Sequence, residues 1–207
     1  MVARARVRNT PWQAACNAAR VCLLAFASLL FTHAAIAQTD IDATNPTAQQ
    51  ASPGNNGIAP HYSAVGSGRL RFFGLHVYDA QLWAAPGVAV TTDNYASTAL
   101  ALTLTYARTL YGKAIAERSL KEMQGVATVS DTQAQQWLAT MLRLFPDVNE
   151  DDQLTGVYTP TQGAAFWLNG RLLGQVPDPA FARAFFGIWL DARSSEPALR
   201  AQLLTRQ

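Results

Sequence analysis

The sequence predicts an α+β protein, a large antiparallel sheet with a layer of helices on one face. Three observations carry this. Strand-like segments are joined by hairpin signals, which makes chain neighbours antiparallel. Helical segments come in pairs between the strand groups. The resulting order, β-β-β-α-α-β-β-β-α-α, keeps strands and helices in separate runs, the α+β pattern.

Each element has its own signal. Val65 to Phe72 and Leu75 to Trp83 are rich in strand formers and flank Phe73-Gly74, a turn or bulge signal. Ala85 to Thr92 is a loop. In Ala99 to Arg108, Leu100, Leu102, Leu104 and Tyr106 alternate with Ala101, Thr103, Thr105 and Ala107, the period of a half-buried strand. Lys113 to Met123 is built from strong helix formers, and Gly125 is read as its stop. Ser130 with Gln133 fits a capping box before a helix over Ala134 to Phe145, which Pro146 ends. Thr155 to Tyr158 and Ala164 to Leu168 are strands around the turn "TPTQG". Asn169-Gly170 is a two-residue hairpin signal leading into Arg171 to Gln175. Asp178-Pro179, an N-cap followed by proline at N1, opens Ala180 to Leu190, and Ser194 or Ser195 opens Pro197 to Leu204.

The first 37 residues are expected to be a signal peptide. Arg4, Arg6, Arg8 and Arg20 precede the apolar run "VCLLAFASLLF", and Ala35-Ile36-Ala37 is a small-x-small cleavage pattern. The run is too short to span a bilayer, which takes about 20 apolar residues. Cleavage after Ala37 implies a periplasmic or secreted protein with no stable membrane insertion. Residues 38–58, polar and rich in Pro, Asn, Gln and Gly, are expected to be a disordered linker, and residues 59–207 the folded domain.

Charge and cysteine usage then exclude several functions. Four of the 16 basic residues and none of the 14 acidic ones lie before Gln38, which leaves 12 against 14 and a net of −2. Such a chain is a poor nucleic-acid binder. Both cysteines, Cys16 and Cys22, lie in the leader, so the domain has no disulfide, thiol nucleophile or thiolate metal site. Of its histidines only His61 and His76 remain, without ligand spacing, and no metal or cofactor is expected. Asp147, Asn149 and Asp151 have the spacing of a calcium loop, but Asp152 replaces its glycine and Tyr158 its final glutamate. Gly66-Ser67-Gly68 lacks the spacing of a nucleophile elbow.

What remains is a set of arginines and tyrosines. Arg69 and Arg71 share one face of their strand, with Asp79 on the next. Tyr106 and Arg108 share a face at the end of theirs. Tyr111 and Arg118 lie two helical turns apart. A guanidinium forks onto two oxygens and a phenol adds a neutral donor, so such a set can hold a carboxylate or phenolate. Ordinary surface charge explains it too, since Arg118 can pair with Glu122.

Three stretches carry a family resemblance: "GRLRFFGLHVYDAQLWA", "LALTLTYARTLYGKAIAERS" and "DPAFARAFFGIWLDARSSEPALRAQLL". Together they resemble the chalcone isomerase-like family, in its secreted bacterial branch, over Gly66 to Leu204. The resemblance implies an open-faced β-sandwich with a ligand cleft between sheet and helices. It also implies a choice of function. Plant relatives cyclise chalcones through an Arg, a Thr–Tyr pair, an Asn and a Ser or Thr. Others bind fatty acids, an Arg and a Tyr holding the carboxylate. Carried over by motif, Tyr111 keeps the tyrosine, and Arg69 or Arg71 supplies the arginine. Arg118 stands for the asparagine, Asp79 for the threonine and Ala184 for the Ser or Thr. Taken with the arginine and tyrosine set above, the resemblance implies a binding site for a small amphipathic anion, fatty-acid-like or aromatic, with Arg69, Arg71, Asp79, Tyr106, Arg108, Tyr111 and Arg118 as its candidate residues. Chalcone cyclisation is not expected. An isomerase or intramolecular lyase on another substrate, and an interaction module using the open sheet face, are the alternatives.

Overall fold

In the computed structural model, which describes residues 61–205, six strands form one antiparallel sheet in chain order. They are β1 (Ser63–Phe72), β2 (Leu75–Ala84), β3 (Leu100–Tyr106), β4 (Gln153–Thr159), β5 (Gly163–Leu168) and β6 (Arg171–Val176). Four helices cover one face: α1 (Gly112–Val126), α2 (Asp131–Leu144), α3 (Pro179–Leu190) and α4 (Pro197–Leu204). The expected element order holds, with one short 3-10 turn, Tyr95–Ser97, added before β3. The signal peptide and the linker lie outside the described residues.

Strand alternation sorts the two faces. Leu100, Leu102, Leu104 and Tyr106 of β3 are all buried, but so are Ala101 and Thr103 of its other face, so the strand is not half-buried as its alternation predicts. Leu102 and Leu104 stand opposite Gly156 and Leu154 of β4. The core is aromatic. Phe166 of β5 meets Phe181 and Phe185 of α3 edge-on, and Phe186 tilts against Tyr158. Fully burying one such side chain stabilises the fold by about 1.5–3 kcal/mol. This is why α3, from the segment "PAFARAFFGIWL", packs across β4 and β5. Helix α4 lies on β1, and so closely that a Cβ on Gly66 would run into carbonyl oxygens of Leu203, Gln202 and Thr205.

Helix ends follow local chemistry, with two corrections. Ser130 caps α2 by accepting the Gln133 N–H, and Asp178 caps α3 by accepting two N–H groups, with Pro179 behind it. Gly125 does not stop α1, which runs on to Val126. A helical glycine costs only about 1 kcal/mol. Here Val126 is buried, and its carbonyl accepts from the Arg193 guanidinium. Neither serine is the N-cap of α4, which is Glu196. Ser194 is buried between helices instead, donating to the Ile188 carbonyl at 2.7 Å and accepting from Glu196 N–H at 3.2 Å. Asp147, from the calcium-like spacing, accepts the Gly112 N–H at 2.8 Å. A carboxylate there satisfies a free donor and the positive end of α1. No metal-ligating cluster exists among the described residues, and no described helix is long and apolar enough to cross a membrane.

Candidate ligand-binding site

A cavity of about 410 Å³ opens between the sheet and helices α1 and α3. Its floor is strand residues of the covered face: Tyr78, Leu104, Tyr106 and Leu154. Leu70 and Phe72 of β1 form one wall. The other is helical. Ala114, Arg118 and Glu122 stand four residues apart on α1, with Ile115 and Ser119 beside them, one continuous stripe. Phe185, Ile188 and Trp189 of α3 close the deep end, and Ser195 and Glu196 complete the rim.

The deep polar groups are two phenols. Trp189 Nε1 donates to the Tyr78 hydroxyl at 2.9 Å, which leaves the Tyr78 O–H free to donate onward. The Tyr106 hydroxyl makes no hydrogen bond among the described residues, and its ring stands edge-on to Tyr78 at 6.1 Å. Burial pushes both phenols well above the ordinary tyrosine range, the Trp189 bond only partly offsetting this at Tyr78. Both are therefore neutral donors at neutral pH and cannot act as phenolate bases.

The rim is charged. Arg118 Nη2 lies 2.7 Å from Glu122 Oε1, and Ser195 Oγ donates to Glu122 Oε2 at 2.6 Å. The Arg118 guanidinium also sits 5.6 Å above the Phe72 ring, a cation–π contact. Among the described residues, Arg118 is the only basic one lining the cavity. A guanidinium has five N–H donors, so the Glu122 contact leaves others for a ligand.

Of the seven residues expected at the site, the structure brings only Tyr106 and Arg118 to the cavity. Arg69 and Arg71 point to the opposite, open face of the sheet, because they alternate with Leu70 and Phe72, which face the helices. Arg69 Nε is 2.7 Å from Asp79 Oδ1 and its Nη2 is 3.2 Å from Oδ2, a two-pronged surface pair. Hydrogen bonding from Arg69 holds the Asp79 carboxyl below its ordinary range, more than burial raises it, with His76 Nε2 3.2 Å away adding to the effect. The expected ionic partnership of Asp79 is there, but outside the cleft. Arg71 donates to the Gly74 carbonyl at 3.2 Å. Arg108 lies beyond the end of β3 and is exposed. Tyr111 is the N-cap of α1 and is 69% exposed, so it points away although Arg118, two turns on, does not. Ala184 is buried but lines no part of the cavity, its place there taken by Phe185.

Tyr78, Trp189, Glu122 and Ser195 were not expected. The first had a signal, since "HVYDAQLW" alternates and Tyr78 shares a face with Ala80 and Leu82. The others come together only through helix packing.

Comparison with known proteins agrees with this architecture. A chalcone isomerase-like family model matches residues 62–205. No curated protein matches the sequence. Among solved structures, the fold is similar to the crystal structure of an Arabidopsis thaliana fatty-acid binding protein. The TM-score is 0.57 at 12% identity, over 71% of this chain and 88% of that one. The chain belongs to the chalcone isomerase-like family.

Proposed function

We propose that this domain binds a small amphipathic anion, its apolar body in the cavity and its carboxylate at Arg118. The observation that carries the reading is the cavity itself, lined mostly by apolar side chains, with Arg118 the one basic residue at its rim among the described residues. Its volume of about 410 Å³ falls in the range of small-ligand pockets, about 300–1,000 Å³. Tyr78 and Tyr106 add neutral donors deeper in, which suits a ligand with a second polar group along its length. The similar Arabidopsis structure is of a fatty-acid binding protein, which supports the same ligand class. The arginine of this reading is Arg118, not Arg69 or Arg71.

Displacement of a fluorescent fatty-acid analogue by decanoate tests it. A charge-assisted hydrogen bond is worth about 1.5–3 kcal/mol, so Arg118→Ala should weaken binding about tenfold or more. Arg69→Ala should leave affinity unchanged, and Ala114→Trp at the mouth should block entry. Equal affinity in all three variants would remove the ligand from this cavity.

Chalcone cyclisation is not part of the proposal. Asp79 stands outside the cavity and Ala184 offers no polar atom. An ortho-hydroxylated chalcone should cyclise no faster with the protein than alone. We also propose export with cleavage after Ala37, supported by the basic, apolar and small-residue order of the leader. N-terminal sequencing of exported protein should begin at Gln38.

A further inference from the structure

We propose that the tip of the β1–β2 hairpin, Phe72 to Leu75, docks this protein onto a lipid surface with the cavity mouth beside it. Three large apolar side chains are exposed within four residues there: Phe72 at 47%, Phe73 at 91% and Leu75 at 56%. Phe73 and Gly74 both have positive φ, 48° and 79°. That is the two-residue hairpin turn in which asparagine or glycine is favoured at the first position. Phenylalanine is a costly choice in that backbone region. Little inside the fold rewards it, because the side chain is 91% exposed and its one aromatic neighbour among the described residues is Phe72, ring centroids 4.5 Å apart. A surrounding that welcomes an apolar ring would.

A lipid surface fits better than a protein partner. A convex tip of three side chains offers too little area for a stable protein interface, which needs about 1,000 Å² or more with complementary shape. Partitioning into the acyl boundary needs apolar area and no shape match. The charges fit too. Arg71 and Arg108 are exposed at this end and join no ion pair among the described residues. Arg69 is paired with Asp79, and Arg118 with Glu122. The acidic residues of the loop that leads into β4, Asp147, Glu150, Asp151 and Asp152, lie two strands away from the hairpin. An anionic surface would therefore meet the hairpin side first. Finally, Phe72 belongs both to the tip and to the cavity wall. A docked tip would open the mouth toward lipid, the phase from which an amphipathic ligand comes. This last step rests on the ligand reading above; the docking itself does not.

The test uses the full chain with Cys16→Ser and Cys22→Ser, which removes both native thiols. A single Phe73→Cys change is labelled with the polarity-sensitive dye NBD. Leu142→Cys on α2, where a large apolar side chain is 43% exposed, is the control. With vesicles of phosphatidylcholine and phosphatidylglycerol, the label at 73 should brighten and shift to the blue, and the label at 142 should not. Adding Leu75→Ser should lower vesicle partitioning of the label at 73 about tenfold. No change at 73, or equal changes at 73 and 142, overturns the proposal. So does a shift at 73 that grows with protein concentration without vesicles, since that makes the occupant a second copy. Decanoate binding, measured in parallel without vesicles, separates the two readings. A chain that docks but binds no decanoate sinks the ligand reading alone, and one that binds decanoate without a lipid shift sinks the docking alone.

Discussion

The β1–β2 and β5–β6 hairpins have the same turn and opposite uses for it. Phe73 and Gly74 have φ of 48° and 79°, and Asn169 and Gly170 have φ of 50° and 79°. In the second turn the side chain is fully employed. Asn169 Oδ1 accepts the Gln153 N–H at 2.8 Å, and its Nδ2 donates to Asp152 Oδ1 at 2.7 Å. Asp152 in turn accepts the Asn149 N–H at 2.7 Å. Asn169 therefore ties the β5–β6 turn to the loop that leads into β4. Phe73 does nothing of the kind. The backbone requirement of a turn thus says little about its purpose; the side chain placed on it says more.

Four measurements would break or sharpen this contrast. The largest effect is expected at Asn169. Asn169→Ala removes two hydrogen bonds, one to a charged group, and should destabilise by about 2–3 kcal/mol in a urea melt. A loss near zero would make the Asn169 network decorative. The glycines come next, where the two turns should behave alike. Gly74→Ala and Gly170→Ala both force a Cβ into positive φ and should each cost about 1–2 kcal/mol. Unequal costs would mean that the turns differ in more than their first residue. Phe73→Asn should go the other way, stabilising by about 1 kcal/mol or less, since asparagine tolerates this region. It should at the same time abolish lipid contact, so that stability and docking trade against each other at one position.

The smallest effect lies in the stem of the first hairpin. The carboxyl of Asp79 is held below its ordinary 3.8 by Arg69. A carboxyl depressed in the folded state adds stability that is complete above the unfolded value and is lost as pH falls through the folded one. The pair is about half exposed, with side chains at 50% and 47%. Solvent screening therefore leaves only a small contribution. Parent and Asp79→Asn should differ slightly in stability at neutral pH and converge below pH 3.8. A difference that persists in acid would mean that Asp79 acts through shape and not through charge.

Much of the fold was legible because its signals are local. Alternation set the face of Leu100 to Tyr106, and Asn169-Gly170 and Asp178-Pro179 marked a turn and a cap that the structure contains. The site was less so. Alternation on β1 already separated Arg69 and Arg71 from Leu70 and Phe72, but not which set faced the helices. Tyr111 and Arg118 share a helical spacing, yet Tyr111 sits at the cap, before the helical stripe begins. Spacing alone does not tell an N-cap from a first turn.

The sequence by itself determined the element order, the antiparallel pairing of hairpin neighbours and the absence of any cysteine chemistry from the domain. Each depends on residues within a few positions of one another. The tertiary structure decided which arginine meets the cavity and which phenols lie beneath it. It also decided that Glu122, Ser195 and Arg118 share a rim, although Ser195 and Glu122 are 73 residues apart. That arrangement depends on where α1 and α3 settle over the sheet. The packing of Phe181, Phe185 and Phe186 against β4 and β5 sets it, and hydrophobic burial specifies area and shape, not a pattern readable along the chain.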